Sequence, residues 1–95
     1  LLTEMKRFED AREHFQLAAD LLPNHAQLQY LLGTALAGEP GASNAARARE
    51  CLSRAVNLSE RAPRMLAATA QVLLRLGDIE EAGKLIEEAL QKEQN

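Results

Sequence analysis

The chain has 95 residues, a formal net charge of −3 and 46% hydrophobic residues, of which only three are aromatic. So small a charge does not imply a general electrostatic affinity for nucleic acids or membranes. With only four Val and Ile residues in all, the chain lacks the runs of β-branched and aromatic residues that form strands. We therefore expect a single soluble all-α domain over residues 1–95, with a modest core.

Charged residues are unevenly distributed. Residues 41–64 contain five Arg and two acidic residues, whereas residues 76–95 contain six acidic residues and two Lys. We expect the chain to be electrically polar along its length, the alternative being that these charges only solvate the outer surface. The single cysteine, Cys51, excludes an internal disulfide and leaves the compartment open between the cytoplasm, which we favour, and the periplasm.

No stretch has the pattern of a signal peptide or a membrane span, so direct membrane insertion is not expected. The sequence starts without Met and within an apolar run, from which we expect a piece of a longer protein. At its start, residues 1–5 have the pattern of the last turn of a truncated helix, and Lys6 and Arg7 are predicted to form a turn.

Residues 8–22 form the next predicted helix, which is amphipathic. Pro23 and Asn24 end it, because proline cannot continue a helix. Its inward face is predicted to contain Phe8, Ala11, Phe15, Ala18 and Leu22.

A further helix is predicted over about residues 25–37, with Gly33 at a point where another backbone comes close. Residues 38–41, which include two glycines and a proline, break it. Ser43 or Asn44 can cap the following helix, which runs to about Leu58. The inward residues of these two helices are predicted to be Leu28, Leu32, Ala35 and Leu36 in the first, and Ala48, Leu52, Ala55 and Val56 in the second.

The last two helices are joined by a short turn. Pro63 suits the first position of the first of them, since its missing N–H costs nothing there. Gly77 suits a left-handed residue that ends this helix, and Asp78 can cap the next one with Glu81 completing a capping box. The apolar residues of the first are Met65, Leu66, Thr69, Ala70, Val72, Leu73 and Leu76.

One spacing of small and apolar residues occurs three times, at Ala11/Phe15/Ala18, Ala48/Leu52/Ala55 and Ala82/Ile86/Ala89. We expect the alanines to lie where helices cross closely, and Phe15, Leu52 and Ile86 to fill the space between the crossings.

These motifs resemble the tetratricopeptide repeat, a helix-turn-helix unit of 34 residues. The first-helix pattern is matched by Leu32-Gly33-x-x-Leu36, with Gln29 in the usual tryptophan position, and by Thr69-Ala70-x-x-Leu73, with Leu66 in that position. The second-helix pattern is matched by the three alanine motifs, and Pro23 occupies the site of the closing proline.

The resemblance implies a right-handed α-α superhelix of about five helices plus a truncated first one. Residues 1–23 would be a partial repeat, residues 24–59 a repeat with a lengthened turn and residues 60–95 a further repeat. The chain departs from the family pattern in a three-residue insertion within residues 38–44, in Glu60 at the closing-proline site and in Lys6 at a glycine site, where a left-handed conformation would be strained.

The sequence offers little for catalysis, so we expect no enzyme activity, no metal site and no cofactor. His14 and His25 lack further ligands at metal-binding spacing. Cys51 is more consistent with packing than with a reactive thiol, although Arg47 one turn away would lower the pKa of an exposed thiol. The glycines of residues 38–41 lack the following Lys of a phosphate loop.

The resemblance implies a partner-binding groove lined by first helices. Family positions map onto Gln27, Tyr30, Leu31, Thr34, Arg64, Ala67, Ala68, Gln71, Leu74 and Arg75. Tyr30 is the expected anchor, and packing between helices is the alternative role for it. A carboxylate clamp of the kind found in one subgroup of the family is not expected, because Ala68 and Leu31 stand where a basic residue and an asparagine would be needed.

These observations leave three hypotheses. The first is an adaptor that binds an extended peptide or helix of a partner protein of unknown identity, without nucleic acid. The second is a self-associating module whose contacts are made by exposed end helices around Phe8, Phe15 or Leu85. The third is an accessory segment of a larger enzyme or assembly factor.

Overall fold

The computed structural model describes residues 2–94, without the side chains of residues 2–5 and of Phe8. Within this range it contains five helices and no strand, so the all-α class is confirmed. The predicted core residue Phe8 lies outside the described side chains. The helices are α1 (Leu2–Leu21), α2 (Ala26–Ala37), α3 (Ala42–Leu58), α4 (Pro63–Arg75) and α5 (Ile79–Gln94).

Helix α1 is continuous through Lys6 and Arg7, so the turn predicted there is wrong. The segment contains no glycine or proline, and its Met, Lys and Arg residues are strong helix formers, so nothing interrupts the helix. A separate truncated helix before α1 is therefore absent from the described residues, and Lys6 is helical. Leu22 is also not inward: it follows the end of α1 and is 56% exposed.

The helices pack as two hairpins with α1 added at one side. The most extensive contacts join α2 to α3 and α4 to α5; α1 packs on α2, and α4 connects the hairpins by contacts with both α3 and α2. The resulting molecule measures 43 × 29 × 19 Å. This elongated shape leaves many helix faces in contact with solvent.

Helix α3 contributes to both hydrophobic clusters of the core. Ala48 and Cys51 join the cluster formed with α1 and α2, whereas Leu52 and Val56 join the one formed with α4 and α5. The burial predicted for Ala48, Leu52, Ala55 and Val56 is confirmed. Because α3 is covered on two sides, it holds the two hairpins together.

Helix α3 begins without a side-chain cap. Its N-cap residue is Gly41, with φ of 110°, and α3 itself starts at Ala42, so Ser43 and Asn44 lie within the first turn. The Asn44 side-chain amide instead donates a hydrogen bond to the carbonyl of Pro40 at 2.9 Å. The predicted capping by Ser43 or Asn44 is therefore wrong, because α3 begins directly after the last glycine of the turn and before these two polar residues.

The turn between α3 and α4 contains two left-handed residues that are not glycine. Glu60 has φ of 57° and Arg61 has φ of 55°. Such a conformation costs roughly 1–2 kcal/mol for each residue, and Arg61 is held in it by hydrogen bonds. Its amide donates to the carbonyl of Val56 at 2.9 Å, and its carbonyl accepts from Nζ of Lys92 at 2.7 Å.

An ion pair between an arginine and a carboxylate joins α1 to the turn before α3, and a similar pair joins α3 to the turn before α5. Arg12 of α1 pairs with Glu39, in the turn before α3, at 2.8 Å. Arg49 of α3 pairs with Asp78, in the turn before α5. Both arginines follow the first alanine of the repeated motif, at Ala11 and Ala48, so the ion pair is part of the repeat.

The ion pair between Arg49 and Asp78 explains why the start of α5 differs from the prediction. Gly77 has the predicted positive φ, at 88°. The Asp78 carboxylate, however, accepts hydrogen bonds from the Arg49 guanidinium, and the capping box predicted with Glu81 is not among the hydrogen bonds of the described residues. Asp78 therefore joins two helix hairpins through its side chain.

Helix α5 places Leu85, and not Ile86, in the core. Leu85 is 5% exposed and Ile86 is 39% exposed, although Leu52 at the corresponding position of α3 is 1% exposed. Leu52 is buried because α4 packs on that side of α3, and no described helix packs on the same side of α5. The predicted filling role of Ile86 and the predicted exposure of Leu85 are therefore both wrong.

Candidate functional site

A shallow depression of about 310 Å³ lies between α2 and α4. Of its five lining residues, four were predicted for the groove and one, Met65, was predicted only as an apolar helix residue. We call this feature the α2–α4 depression. Its lining residues are Gln27, Tyr30, Arg64, Met65 and Ala68.

Local structure fixes the two sides of this depression. On α2, the N-cap residue His25 accepts a hydrogen bond through Nδ1 from the amide of Leu28 at 3.3 Å, which sets the start of the helix just before Gln27. On α4, Pro63 occupies the first turn as predicted, so Arg64 extends from the beginning of the helix. Two helix starts therefore bring Gln27 and Arg64 to the same depression.

Tyr30 has the packing role that the sequence left open, and its role as an anchor for a partner stays a prediction. Its side chain is partly buried and packs against the cluster formed by α3, α4 and α5, and it also lines the α2–α4 depression. Thr34, one turn later, donates its hydroxyl hydrogen bond to the Tyr30 carbonyl at 2.9 Å. The Thr34 hydroxyl is thus engaged within the helix.

The other predicted groove residues lie outside the α2–α4 depression. Leu31 is partly buried, whereas Ala67, Gln71, Leu74 and Arg75 are exposed along α4. Arg64 and Arg75 form no ion pair with another described residue. This side of α4 therefore carries two cations whose charge is not neutralised by a neighbouring carboxylate.

A second cavity, of about 210 Å³, lies between α3, α4 and α5. Thr69 lines it, is 2% exposed, and has a hydroxyl without a hydrogen-bond partner among the described residues. In the repeated first-helix motif Thr69 occupies the position of Leu32. A side chain smaller than leucine at this position contributes to the cavity, a feature that the motif alignment could have indicated.

A third cavity, of about 260 Å³, lies between α1, α2 and α3, is partly open to solvent and is lined in part by Gln29 and Cys51. Gln29, in the tryptophan position, is buried and donates through Nε2 to the carbonyl of Pro23 at 3.1 Å. Burial raises the pKa of the Cys51 thiol, and the nearby Arg54 and Arg47 only partly offset this. The packing role predicted for Cys51 agrees with its burial.

The described residues contain no group of three or more His, Cys, Asp and Glu side chains placed to hold a metal ion. His14 is exposed on α1 and His25 serves as a helix cap. None of the helices in the described range combines the length and the hydropathy needed to cross a membrane.

The ion pairs made by Arg12 and Arg49 were not predicted, although the sequence contains a pattern that indicates a basic residue at both positions. Arg12 and Arg49 each follow the first alanine of their motif, while Gly83 follows Ala82. Read together, the two Ala-Arg dipeptides could have predicted a recurring basic position on second helices. Their acidic partners lie in turns of different length, at Glu39 and Asp78, and could not be aligned by spacing.

In a comparison with known families, the model described as tetratricopeptide repeat matches residues 41–95, the segment that contains α3, α4 and α5. The comparisons with curated proteins and with solved structures give no significant match.

Proposed function

The chain belongs to the tetratricopeptide repeat family, and from this we propose that it is a non-catalytic module that binds a segment of a partner protein in a concave groove between α2 and α4. The family is in general a protein-interaction scaffold and is generally non-catalytic. In this proposal residues 24–59 and 60–95 form two repeats and residues 1–23 form part of another.

The observation that supports the groove is the α2–α4 depression. Four residues chosen from family positions, Gln27, Tyr30, Arg64 and Ala68, line one depression together. Tyr30, Met65 and Ala68 supply its apolar lining, and Arg64, also in the lining, is exposed and forms no ion pair with a described residue. Aromatic and arginine side chains are enriched among residues that dominate binding energy.

This chemistry favours an extended segment with an apolar side chain next to an acidic one. The apolar side chain would enter the depression, and the carboxylate would pair with Arg64. A charge-assisted pair of this kind contributes more than a neutral hydrogen bond, especially when it is partly shielded from water. Arg75, one further exposed cation on α4, extends the basic edge toward the other end of the helix.

The test is a titration with an array of synthetic peptides that carry one Leu, Phe or Met beside Asp or Glu, followed by amide chemical shifts of the protein. We expect shifts centred on α2 and α4, and a loss of about tenfold or more in affinity for Arg64→Glu. Arg54→Glu is the matched control, because Arg54 is an exposed arginine of α3 that does not line the depression. Equal losses in the two variants, or shifts confined to α3 and α5, would contradict the groove.

A further inference from the structure

The cavity of about 210 Å³ between α3, α4 and α5 shares no lining residue with the α2–α4 depression and is partly open to solvent. We call this cavity the Thr69 pocket. We propose that it binds a small neutral molecule made of one apolar ring with a hydroxyl group, of the chemical class of a phenol. Its buried lining residues are Leu52, Val56, Thr69, Leu73 and Leu85, and its more exposed ones are Arg49, Ser53, Arg61, Asp78 and Glu81.

The first argument is the Thr69 hydroxyl. Thr69 is buried, and its hydroxyl has no hydrogen-bond partner among the described residues. The other buried side chains of the pocket are aliphatic, so they offer a water molecule none of the two to four polar partners that hold a buried water. A ligand with an apolar body and one hydroxyl would cover these side chains and bind the Thr69 hydroxyl at the same time.

The second argument is the size of the pocket. An apolar cavity of about 150 Å³ holds a benzene molecule, whereas pockets for drug-sized ligands measure about 300–1,000 Å³. The volume of the Thr69 pocket, about 210 Å³, lies between these values. The pocket therefore has room for one aromatic ring with a small substituent.

The third argument is charge, which favours a neutral ligand. Two arginines and two acidic residues line the pocket, so their formal charges cancel. Arg49 is paired with Asp78, and Arg61 is paired with Glu88, so both guanidinium groups already have a carboxylate partner and neither is available to an anion. A cation would meet the Glu81 carboxylate but also the two guanidinium groups.

The fourth argument is a corresponding cavity one repeat earlier, between α1, α2 and α3. The helices α4 and α5, which follow it in the chain, do not line it. In this chain, the opening of such a cavity is thus not the surface on which the next hairpin packs. The earlier cavity has leucine where the Thr69 pocket has its hydroxyl. The lining residues Gln16, Ala19, Leu32 and Cys51 correspond in the repeat to Ser53, Val56, Thr69 and Leu85.

The experiment compares phenol with toluene, two molecules of similar size that differ by a hydroxyl in place of a methyl group. Each is titrated into the protein to about 5 mM and followed by amide chemical shifts. We expect phenol to bind with a Kd of about 1 mM, with shifts at residues 52–56, 69–73 and 81–85, and toluene to bind about fivefold more weakly. Benzoate and benzylammonium, the charged analogues, should bind more weakly than phenol.

Variants of Thr69 test the role of its hydroxyl. Thr69→Val keeps the shape of the side chain and should abolish the preference for phenol over toluene. Thr69→Leu introduces the residue found at Leu32, fills part of the pocket and should weaken binding of both molecules. Thr34→Val is the matched control, because the Thr34 hydroxyl is bonded within α2 and does not line the pocket, so the preference for phenol should remain.

Several outcomes would overturn the proposal. They are equal binding of phenol and toluene to the parent chain, a preference for phenol that persists in Thr69→Val, and no binding of phenol at about 5 mM. Tighter binding of benzoate or benzylammonium would contradict the preference for a neutral ligand. Shifts from phenol confined to the α2–α4 depression, or to the surroundings of Gln29 and Cys51, would place the ligand in another cavity and equally refute the proposal.

Discussion

A Cβ atom placed on Gly33 would lie 3.0 Å from Cγ of Leu52 and 3.2 Å from the carbonyl oxygen of Ala48. Helices α2 and α3 therefore approach each other closely at a position where α2 has no side chain. The sequence predicted a close approach at Gly33, and this prediction is confirmed. The contact also joins the two halves of the repeat motif, since Gly33 belongs to the first-helix pattern and Leu52 to the second.

Replacing Gly33 and Gly83 separately with alanine should have different effects. Alanine gains about 1 kcal/mol over glycine in a helix interior, and Gly83→Ala should show this gain in full because nothing contacts the new methyl group. Gly33→Ala should be less stable than Gly83→Ala by about 1–3 kcal/mol, since Leu52 and Ala48 must move. Urea unfolding of both variants measures the difference, and equal stabilities would show that α2 and α3 are not closely packed at Gly33.

Enlarging Ala48 should destabilise the protein. Ala48 is fully buried between α2 and α3, so Ala48→Leu should lower the free energy of unfolding by about 1–3 kcal/mol through overpacking. Ala46→Leu, on the exposed side of the same helix, provides the control and should be close to neutral. Thermal melts in which the two variants behave alike would count against the packing role of the alanine motif.

Removing the hydroxyl of Thr69 should stabilise the protein. Thr69→Val keeps the shape of the side chain and removes a buried hydroxyl that lacks a partner among the described residues, which should raise the free energy of unfolding by about 1–3 kcal/mol. Thr34→Val is the matched control, because its hydroxyl donates to the Tyr30 carbonyl and its loss should not stabilise. A destabilised Thr69→Val in calorimetry would mean that the cavity contains a group that satisfies this hydroxyl.

Stability should fall in acid through Glu88. Two hydrogen bonds from the Arg61 guanidinium, both 2.7 Å, lower the pKa of Glu88 from its ordinary value of 4.5. Because the pKa is lower in the folded state, the unfolded chain binds the proton more readily, and the stabilisation is present above pH 4.5 and lost as the pH falls through the folded value.

Glu88→Gln should therefore reduce stability at neutral pH and flatten the decrease in acid, as measured by urea unfolding from pH 7 to about pH 3. Glu87→Gln is the control, since Glu87 is an exposed neighbour that has no ion pair with a described residue. A Glu88→Gln variant with the same pH profile as the parent chain would contradict a contribution of the Arg61–Glu88 pair.

Positions that pack within one helix hairpin could be predicted from the sequence. Ala48, Ala55 and Ala82 are buried as their spacing indicated, because the partner helix in each hairpin is the one directly before theirs in the chain. Gly77 and Pro63 likewise mark helix ends, since their backbone preferences act locally. Lys6 and Arg7 were wrongly predicted to form a turn, although both residue types have a high helix propensity and lie within α1.

The sequence by itself determined the helices, the repeat and the all-α class, because helix periodicity and backbone preferences are properties of neighbouring residues. Only the tertiary structure decided which copies of a repeated position are buried. Leu52 and Ile86 occupy the same place in the motif, yet one is 1% and the other 39% exposed, since burial depends on whether a helix from another part of the chain packs there. The partners of Arg12 and Arg49 were decided in the same way, because packing of the hairpins sets which carboxylate each arginine reaches.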